Sequence, residues 1–175
     1  MKNLMILTSF LVLSGCKTNA QKLKISSIYS EPKQVTKEIP ETGKTHTYTT
    51  RKEVTERLDP LIFMLSKNAG TLAFRIQGNI SSSGHSIHQV RKIRFERGAQ
   101  SGNTVTLKYY VEIKKVPGKE SADVLGYNYT KDETYKIPND IKIIRIELYE
   151  ERINDTSATK PKLIAQQSFN FFPKI

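Results

Sequence analysis

The strictest constraint on the fold is the alternation of apolar and polar residues from Thr104 to Lys114. The apolar residues all fall on one parity: Val105, Leu107, Tyr109, Val111 and Ile113. The other parity carries threonine, lysine, tyrosine and glutamate. Because successive side chains of a β-strand point to opposite faces, this pattern predicts a strand that packs on one side and meets water on the other.

Weaker versions of the same pattern recur between turn-forming residues along the chain. Leu72, Phe74 and Ile76 alternate with polar or small residues, and so do Ile144, Ile146 and Leu148. Ile87, Ile93 and Phe95 share one parity but Val90 does not, which predicts a β-bulge near Arg91. A final strand over 163–171 is expected to run antiparallel to the preceding one. We therefore expect eight or nine short strands, which is typical of an all-β sandwich or barrel.

The run from Thr134 to Leu148 (TYKIPNDIKIIRIEL) resembles the passage between two strands of immunoglobulin-like and fibronectin-like sandwiches. The resemblance covers roughly residues 71–172 and implies an antiparallel β-sandwich. The chain has no tryptophan and a single cysteine, so it lacks the Cys…Trp…Cys spacing of true immunoglobulin domains. A lipocalin-like barrel stays open as an alternative.

One segment, residues 51–70, is a candidate for a short helix. Asp59 and Pro60 make a suitable start, since aspartate accepts hydrogen bonds from free backbone N–H groups and proline is tolerated in the first turn. Leu61, Ile62 and Leu65 would then share a face, and Gly70 would end the helix. The alternative is a buried strand over 61–65, because periodicity alone does not separate the two for a short apolar run.

The N-terminal sixteen residues indicate export. A lysine at position 2, an apolar run from Leu4 to Leu13 and small residues before Cys16 are typical of a secretory signal peptide. The tetrapeptide Leu13-Ser14-Gly15-Cys16 resembles the lipobox of bacterial lipoproteins. That resemblance implies a type II signal peptide over 1–15 and acyl chains on Cys16. The alternative is an ordinary signal peptide that happens to contain a cysteine.

The lipobox sets the expected organisation and address of the chain. Residues 16–22 would be the lipidated cysteine and a tether, and residues 23–175 a single β-sandwich domain. In enterobacterial lipoproteins an aspartate after the cysteine retains the protein at the inner membrane. Lys17 stands there instead, so we expect anchoring at the outer membrane, on its periplasmic or surface face. Palmitate is the expected modification.

The chain is basic, with a formal charge of +11 that becomes +10 once Lys2 is removed with the signal. Such a charge favours anionic partners, and an exported lipoprotein is not expected to meet nucleic acid. One hairpin face could hold a binding site for an anionic glycan or an envelope protein, made by Lys92, Arg94, Lys108, Tyr110 and Lys114. The alternative is a solvated sheet face with lysines that protect an edge.

No motif for catalysis, a metal or a cofactor is found in the sequence. His85 and His88 lie three residues apart, which on a strand places them on opposite faces, and a metal site needs more ligands. Neighbouring carboxylates such as Glu150 and Glu151 would diverge in the same way. Tyr127 and Tyr129 would either pack or form an exposed platform for a sugar.

We therefore expect a non-enzymatic, lipid-anchored envelope protein that binds or positions a partner. The alternatives are a lipocalin-like carrier of a lipid or small apolar ligand, an inhibitor or immunity-type envelope protein, and a hydrolase, which would require a convergent polar triad in a cleft.

Overall fold

The computed structural model describes residues 22–68, 70–82, 87–116, 123–153 and 160–171. Those residues form nine strands and no helix, which confirms the all-β prediction. No helix among them is long and apolar enough to cross a membrane. The predicted signal peptide, Cys16 and most of the tether lie outside the described residues. The strands are β1 Lys24–Ile39, β2 Lys44–Glu53, β3 Leu61–Asn68, β4 Thr71–Ser81, β5 Ile87–Ser101, β6 Thr104–Val116, β7 Val124–Lys136, β8 Ile143–Ile153 and β9 Lys162–Asn170.

The strands form two sheets that pack as a sandwich. One sheet has five strands in the order β2-β1-β7-β4-β3, and the other has four in the order β5-β6-β8-β9. All neighbouring strands are antiparallel except β6 and β8, which run parallel. The chain leaves the four-stranded sheet after β6, adds β7 to the other sheet and returns as β8. The predicted antiparallel pairing of the last strand with the one before it is confirmed.

The core lies between the sheets and follows the alternation in the sequence. Leu72, Phe74 and Ile76 of β4 are fully buried and face the other sheet. The facing side of that sheet buries the predicted apolar positions of β6 and β8, among them Val105, Leu107, Val111, Ile144, Ile146 and Leu148. Phe74 and Tyr109 meet edge to face across the interface, with their ring centroids 5.8 Å apart. The predicted bulge is also present, as a register shift between Val90 and Lys92.

The helix expected within 51–70 is wrong. The segment forms a strand, as in the alternative, but it is an edge strand and not a buried one: Ile62 is buried, whereas Leu61 and Leu65 are exposed. Residues 61–68 form β3, which pairs with β4 from Leu61 opposite Gln77 to Asn68 opposite Thr71. The backbone N–H and C=O groups on one side of this segment form hydrogen bonds with β4. Such tertiary pairing overrides a local helix-capping signal. Gly70 adopts a positive φ of 82° in the tight β3–β4 turn, not at a helix end.

From the sequence, Glu31-Pro32 would end the first strand, and Tyr127 and Tyr135 would mark two separate short strands; both predictions are wrong. β1 continues through Pro32, because beyond Tyr29 it pairs with β2 alone and a proline without an N–H is tolerated on a free edge. β7 is one strand from Val124 to Lys136, where two shorter ones were expected. The charged residues in the middle of β7 interrupt its apolar pattern in the sequence. In the structure Lys131 and Glu133 point into the sandwich and pair with each other at 2.5 Å.

Residues 54–60, which we call the strap, cross the outer side of the five-stranded sheet. They connect β2 and β3, which lie at opposite edges of that sheet. The buried Asn128 side chain holds the strap at two points: its Oδ1 accepts from Leu58 N at 3.0 Å, and its Nδ2 donates to Glu56 O at 2.8 Å. Asn79 Nδ2 donates to Leu58 O at 2.9 Å. The strap backbone therefore depends on side chains of β4 and β7.

Replacing Asn128 with alanine should lower the free energy of unfolding by about 1–3 kcal/mol, because it leaves backbone groups of Glu56 and Leu58 without partners at a covered site. Urea unfolding followed by circular dichroism measures the change. Asn68→Ala, at an exposed position near the end of β3, is the matched control and should change stability little. An equal loss from both substitutions would contradict the role given to Asn128.

Candidate functional site

The structure brings the five predicted face residues together on the outer side of the four-stranded sheet. Lys92 and Arg94 lie on β5, and Lys108, Tyr110 and Lys114 lie on β6. Arg94 is directly opposite Tyr110, and Lys92 is opposite Glu112. Lys114 lies exposed towards the end of β6. The hairpin predicted from the sequence therefore has the register needed to assemble these side chains.

Strand β8 adds residues to this face that the sequence analysis missed. The parallel register places Glu147 beside Lys108, Tyr149 beside Tyr110 and Glu151 beside Glu112. The alternation of Arg145, Glu147 and Tyr149 with the apolar residues of β8 is visible in the sequence. The sequence does not show that β8 lies next to β6, because β7 lies between them in the chain and belongs to the other sheet.

The centre of the face is a stack of three side chains, Arg94, Tyr110 and Tyr149, which we call the ladder. The Arg94 guanidinium lies 4.1 Å from the centroid of the Tyr110 ring. The Tyr110 and Tyr149 rings are stacked, with centroids 5.0 Å apart and planes 16° apart. A cation over a tyrosine face is attracted by the ring quadrupole, and offset aromatic pairs add further stabilisation. The ladder crosses three strands.

Carboxylates hold the arginine of the ladder in place. Arg94 donates to Glu151 at 2.9 Å and lies 3.4 Å from Glu112 and 3.3 Å from Glu96. Lys92 Nζ is also 3.4 Å from Glu112, whose side chain is only 8% exposed. The hydrogen bond to Glu151 is the largest cause of a raised Arg94 pKa, opposed by partial burial. The guanidinium therefore stays charged and its orientation is restrained from several sides.

The charge of this face differs from the basic patch that the sequence suggested. Its outward residues carry both signs on neighbouring strands, with bases at Lys92, Arg94, Lys108, Lys114 and Arg145 and acids at Glu96, Glu112, Glu147 and Glu151. Nor does the whole outer side of β6 meet water, since Tyr110 and Glu112 are both buried. Their neighbours on β5 and β8 cover them. The face is a mosaic of both charges around an aromatic centre.

Compared with known proteins, the chain matches no family model, no curated protein and no solved structure.

A second candidate is a cleft of about 300 Å³ between the sheets at one end of the sandwich. On β8 the inward positions that carry Ile146 and Leu148 continue into Glu150 and Arg152, which lie 3.4 Å apart. His88 lines the cleft, but its Nδ1 is buried without a hydrogen-bond partner among the described residues. That nitrogen is not accessible to a ligand unless neighbouring atoms move. The other lining residues are Pro60, Asn79, Ile80, Ser81, Ile113, Lys162 and Ile164.

The remaining predicted candidates fall into three cases. Tyr129 is fully buried, and Tyr127 packs against the core, so the packing alternative is the one observed. His85 lies outside the described residues. Among the residues that are described, no group of three histidine, cysteine or acidic side chains is arranged to hold a metal ion.

The hydrogen bond between the Tyr149 hydroxyl and Glu147, at one end of the ladder, can be tested by titration. The hydroxyl donates to Glu147 at 2.7 Å, and this bond is the main reason why the pKa of Tyr149 is raised from 10.0 to about 12. Glu147→Gln removes the negative charge beside the phenol, so the pKa of Tyr149 should fall towards its ordinary value. Because the folded pKa is raised, the stabilisation from this bond should be complete below pH 10 and lost as pH rises through about 12.

The measurement is a pH titration of tyrosinate absorbance, with Tyr149 identified by subtracting the curve of Tyr149→Phe. Glu31→Gln, which removes an exposed glutamate far from the face, is the control. Superimposable Tyr149 curves for wild type and Glu147→Gln would show that the hydrogen bond to Glu147 does not raise the pKa of Tyr149.

Proposed function

We propose that this protein is a lipid-anchored lipoprotein of the bacterial outer membrane that binds an envelope protein through the face around the ladder. The observation that carries the proposal is the ladder itself. Tyrosine and arginine are among the residues that most often dominate the energy of protein interfaces. Here Arg94 and Tyr149 stay partly exposed while carboxylates hold the arginine still, so little side-chain entropy remains to be lost on binding.

The mosaic of charges favours a protein over an anionic glycan. A polyanion laid across β5, β6 and β8 would meet Glu96, Glu147 and Glu151 as often as it meets bases, and repulsion would offset attraction. A protein surface can present both signs in a complementary order, which gives specificity as well as steering. The anionic glycan of the sequence-based hypothesis is therefore the second partner class to test.

The packing supports a binding module over a carrier of apolar ligands. A carrier needs an apolar cavity, whereas in the described residues the space between the sheets is filled by side chains such as Phe74, Leu107 and Ile146. The cleft at the end of the sandwich is lined by Glu150, Arg152 and Lys162, which do not suit an apolar ligand. The same packing leaves the inhibitor or immunity-type role open as a form of protein binding.

The anchor is tested at Cys16. Cys16→Ser should abolish palmitate labelling and move the protein from the membrane to the soluble fraction, because two or three acyl chains supply stable anchoring and none would remain. Metabolic labelling and fractionation of the host measure both effects. Thr18→Ser, two residues beyond the lipobox, is the control and should behave as wild type. Unchanged membrane retention of Cys16→Ser would refute the anchor.

The partner face is tested by site-specific photo-crosslinking in the host. A photoreactive residue at Lys114, exposed on the same face four residues along β6 from Tyr110, should crosslink one envelope protein. Arg94→Ala should reduce that product because it removes one end of the ladder. The control position is Lys136, which is exposed at the end of β7 on the other sheet. The proposal fails if both positions capture the same proteins equally, or if capture survives Arg94→Ala unchanged. If added acidic glycan alone prevents crosslinking at position 114, the result would favour an anionic glycan as the partner.

A further inference from the structure

The β1–β2 hairpin extends beyond the sandwich as a two-stranded arm. We define the arm as residues 31–50, because Ser30 still bonds the body through Asp123 and Arg51 pairs with the Asp123 side chain. Its strands pair with each other from Lys33 opposite Thr50 to Ile39 opposite Lys44. Every described residue of the arm is exposed except Val35, which is half-buried. A two-stranded ribbon with both faces in water is marginally stable on its own.

The outer edge of β2 lacks the usual protection against pairing with another strand. β2 lies at the end of its sheet, so its second row of backbone N–H and C=O groups has no strand beside it among the described residues. Between Lys44 and Arg51 the sequence is Thr-His-Thr-Tyr-Thr-Thr, with no lysine, proline or acidic residue. Proteins normally block free edges with such residues, and threonine and tyrosine favour strands.

Charge singles out the arm as the place where two copies can meet. The whole chain carries a formal charge of +11, so two bodies repel each other. Within residues 31–50 three glutamates balance three lysines. The arm has no net charge, and residues 45–50 at its outer edge carry no charged side chain. Because the arm projects from a basic body, two chains can pair through their arms while their bodies stay apart. A partner of strongly acidic character would instead be drawn to the body.

We propose that β2 pairs with β2 of a second copy of this chain, antiparallel about a two-fold axis at Thr47, to form a continuous four-stranded sheet β1-β2-β2-β1. In this register His46 lies opposite Tyr48 of the second copy, and Thr45 lies opposite Thr49. Aromatic and threonine cross-strand pairs stabilise antiparallel sheets. The proposal is independent of the ladder and of the lipid anchor.

One neighbouring symmetric register is less favourable. Centring the axis on Tyr48 places Lys44 opposite Lys52 of the second copy. Like charges opposite each other destabilise a sheet. The Thr47 register has no charged residue facing another over 44–50, and it leaves the ion pair between Arg51 and Asp123 intact.

The first experiment measures the oligomeric state of residues 16–175 carrying Cys16→Ser, which contain every described residue and no thiol. Sedimentation over a concentration series should give a monomer–dimer equilibrium. Thr47→Lys places two lysines opposite each other at the axis and should raise the dimer dissociation constant roughly fivefold or more. The matched control is Thr36→Lys, which removes the same hydrogen bond between the Thr36 and Thr47 hydroxyls but places its charge on β1.

The second experiment tests the register by disulfide formation in the same cysteine-free chain. At the axis the two Cα atoms would lie about 4.5–5.5 Å apart, within reach of a disulfide, so Thr47→Cys should form a covalent dimer on mild oxidation. Thr49→Cys should not, because its copies would lie roughly 14 Å apart, four residues along the strand. A monomer at all concentrations, a dimer equally sensitive to both lysine variants, or a failure of Thr47→Cys to crosslink would each overturn the proposal.

Discussion

The rest of the structure depends on the packing of β4 against β6 and β8. The only cysteine is at position 16, ahead of the first strand, so no disulfide closes the sandwich and packing must hold it together. The side chains buried completely in this contact include Phe74, Leu107 and Leu148, and each such burial contributes about 1.5–3 kcal/mol. Lys67, placed 4.5 Å over the Phe171 ring, closes one side by joining β3 to the end of β9.

The same contact explains why the ladder is rigid. Tyr110 and Tyr149 lie on the backs of β6 and β8, whose inward neighbours Tyr109, Val111 and Leu148 are buried in the core. A change in the register of either strand by one residue would turn its whole apolar set towards water, so the core fixes the register. The stack of rings outside is therefore set by packing inside. A surface made in this way needs no loop to order it.

The local features of the fold could be predicted from the sequence, whereas the long-range pairings could not. The alternation at 105–113 and the change of parity at Val90 are local, and they located a strand and a bulge correctly. The neighbour of β6 could not be identified, because β7 intervenes in the chain but belongs to the other sheet. The continuity of β7 through Lys131 and Glu133 could not be predicted either, since inward charges are rare unless they pair, and their pairing is visible only in three dimensions. Lys92 and Arg94 share the outer face of the β5–β6 hairpin with Tyr110, but the acids that β8 adds to this face were missed for the same topological reason.

The arm and the ladder lie on different sheets, and this separation matters for how they would act together. Pairing through β2 uses only the edge of the five-stranded sheet, so it leaves the ladder of each copy uncovered. A dimer on one membrane would then present two identical faces, and a partner with two matching sites would engage the second at a high effective concentration. Repulsion between the basic bodies would keep these faces apart, because the neutral arm is the only bridge. An assembly of this kind gains avidity from geometry without any new contact at the ladder.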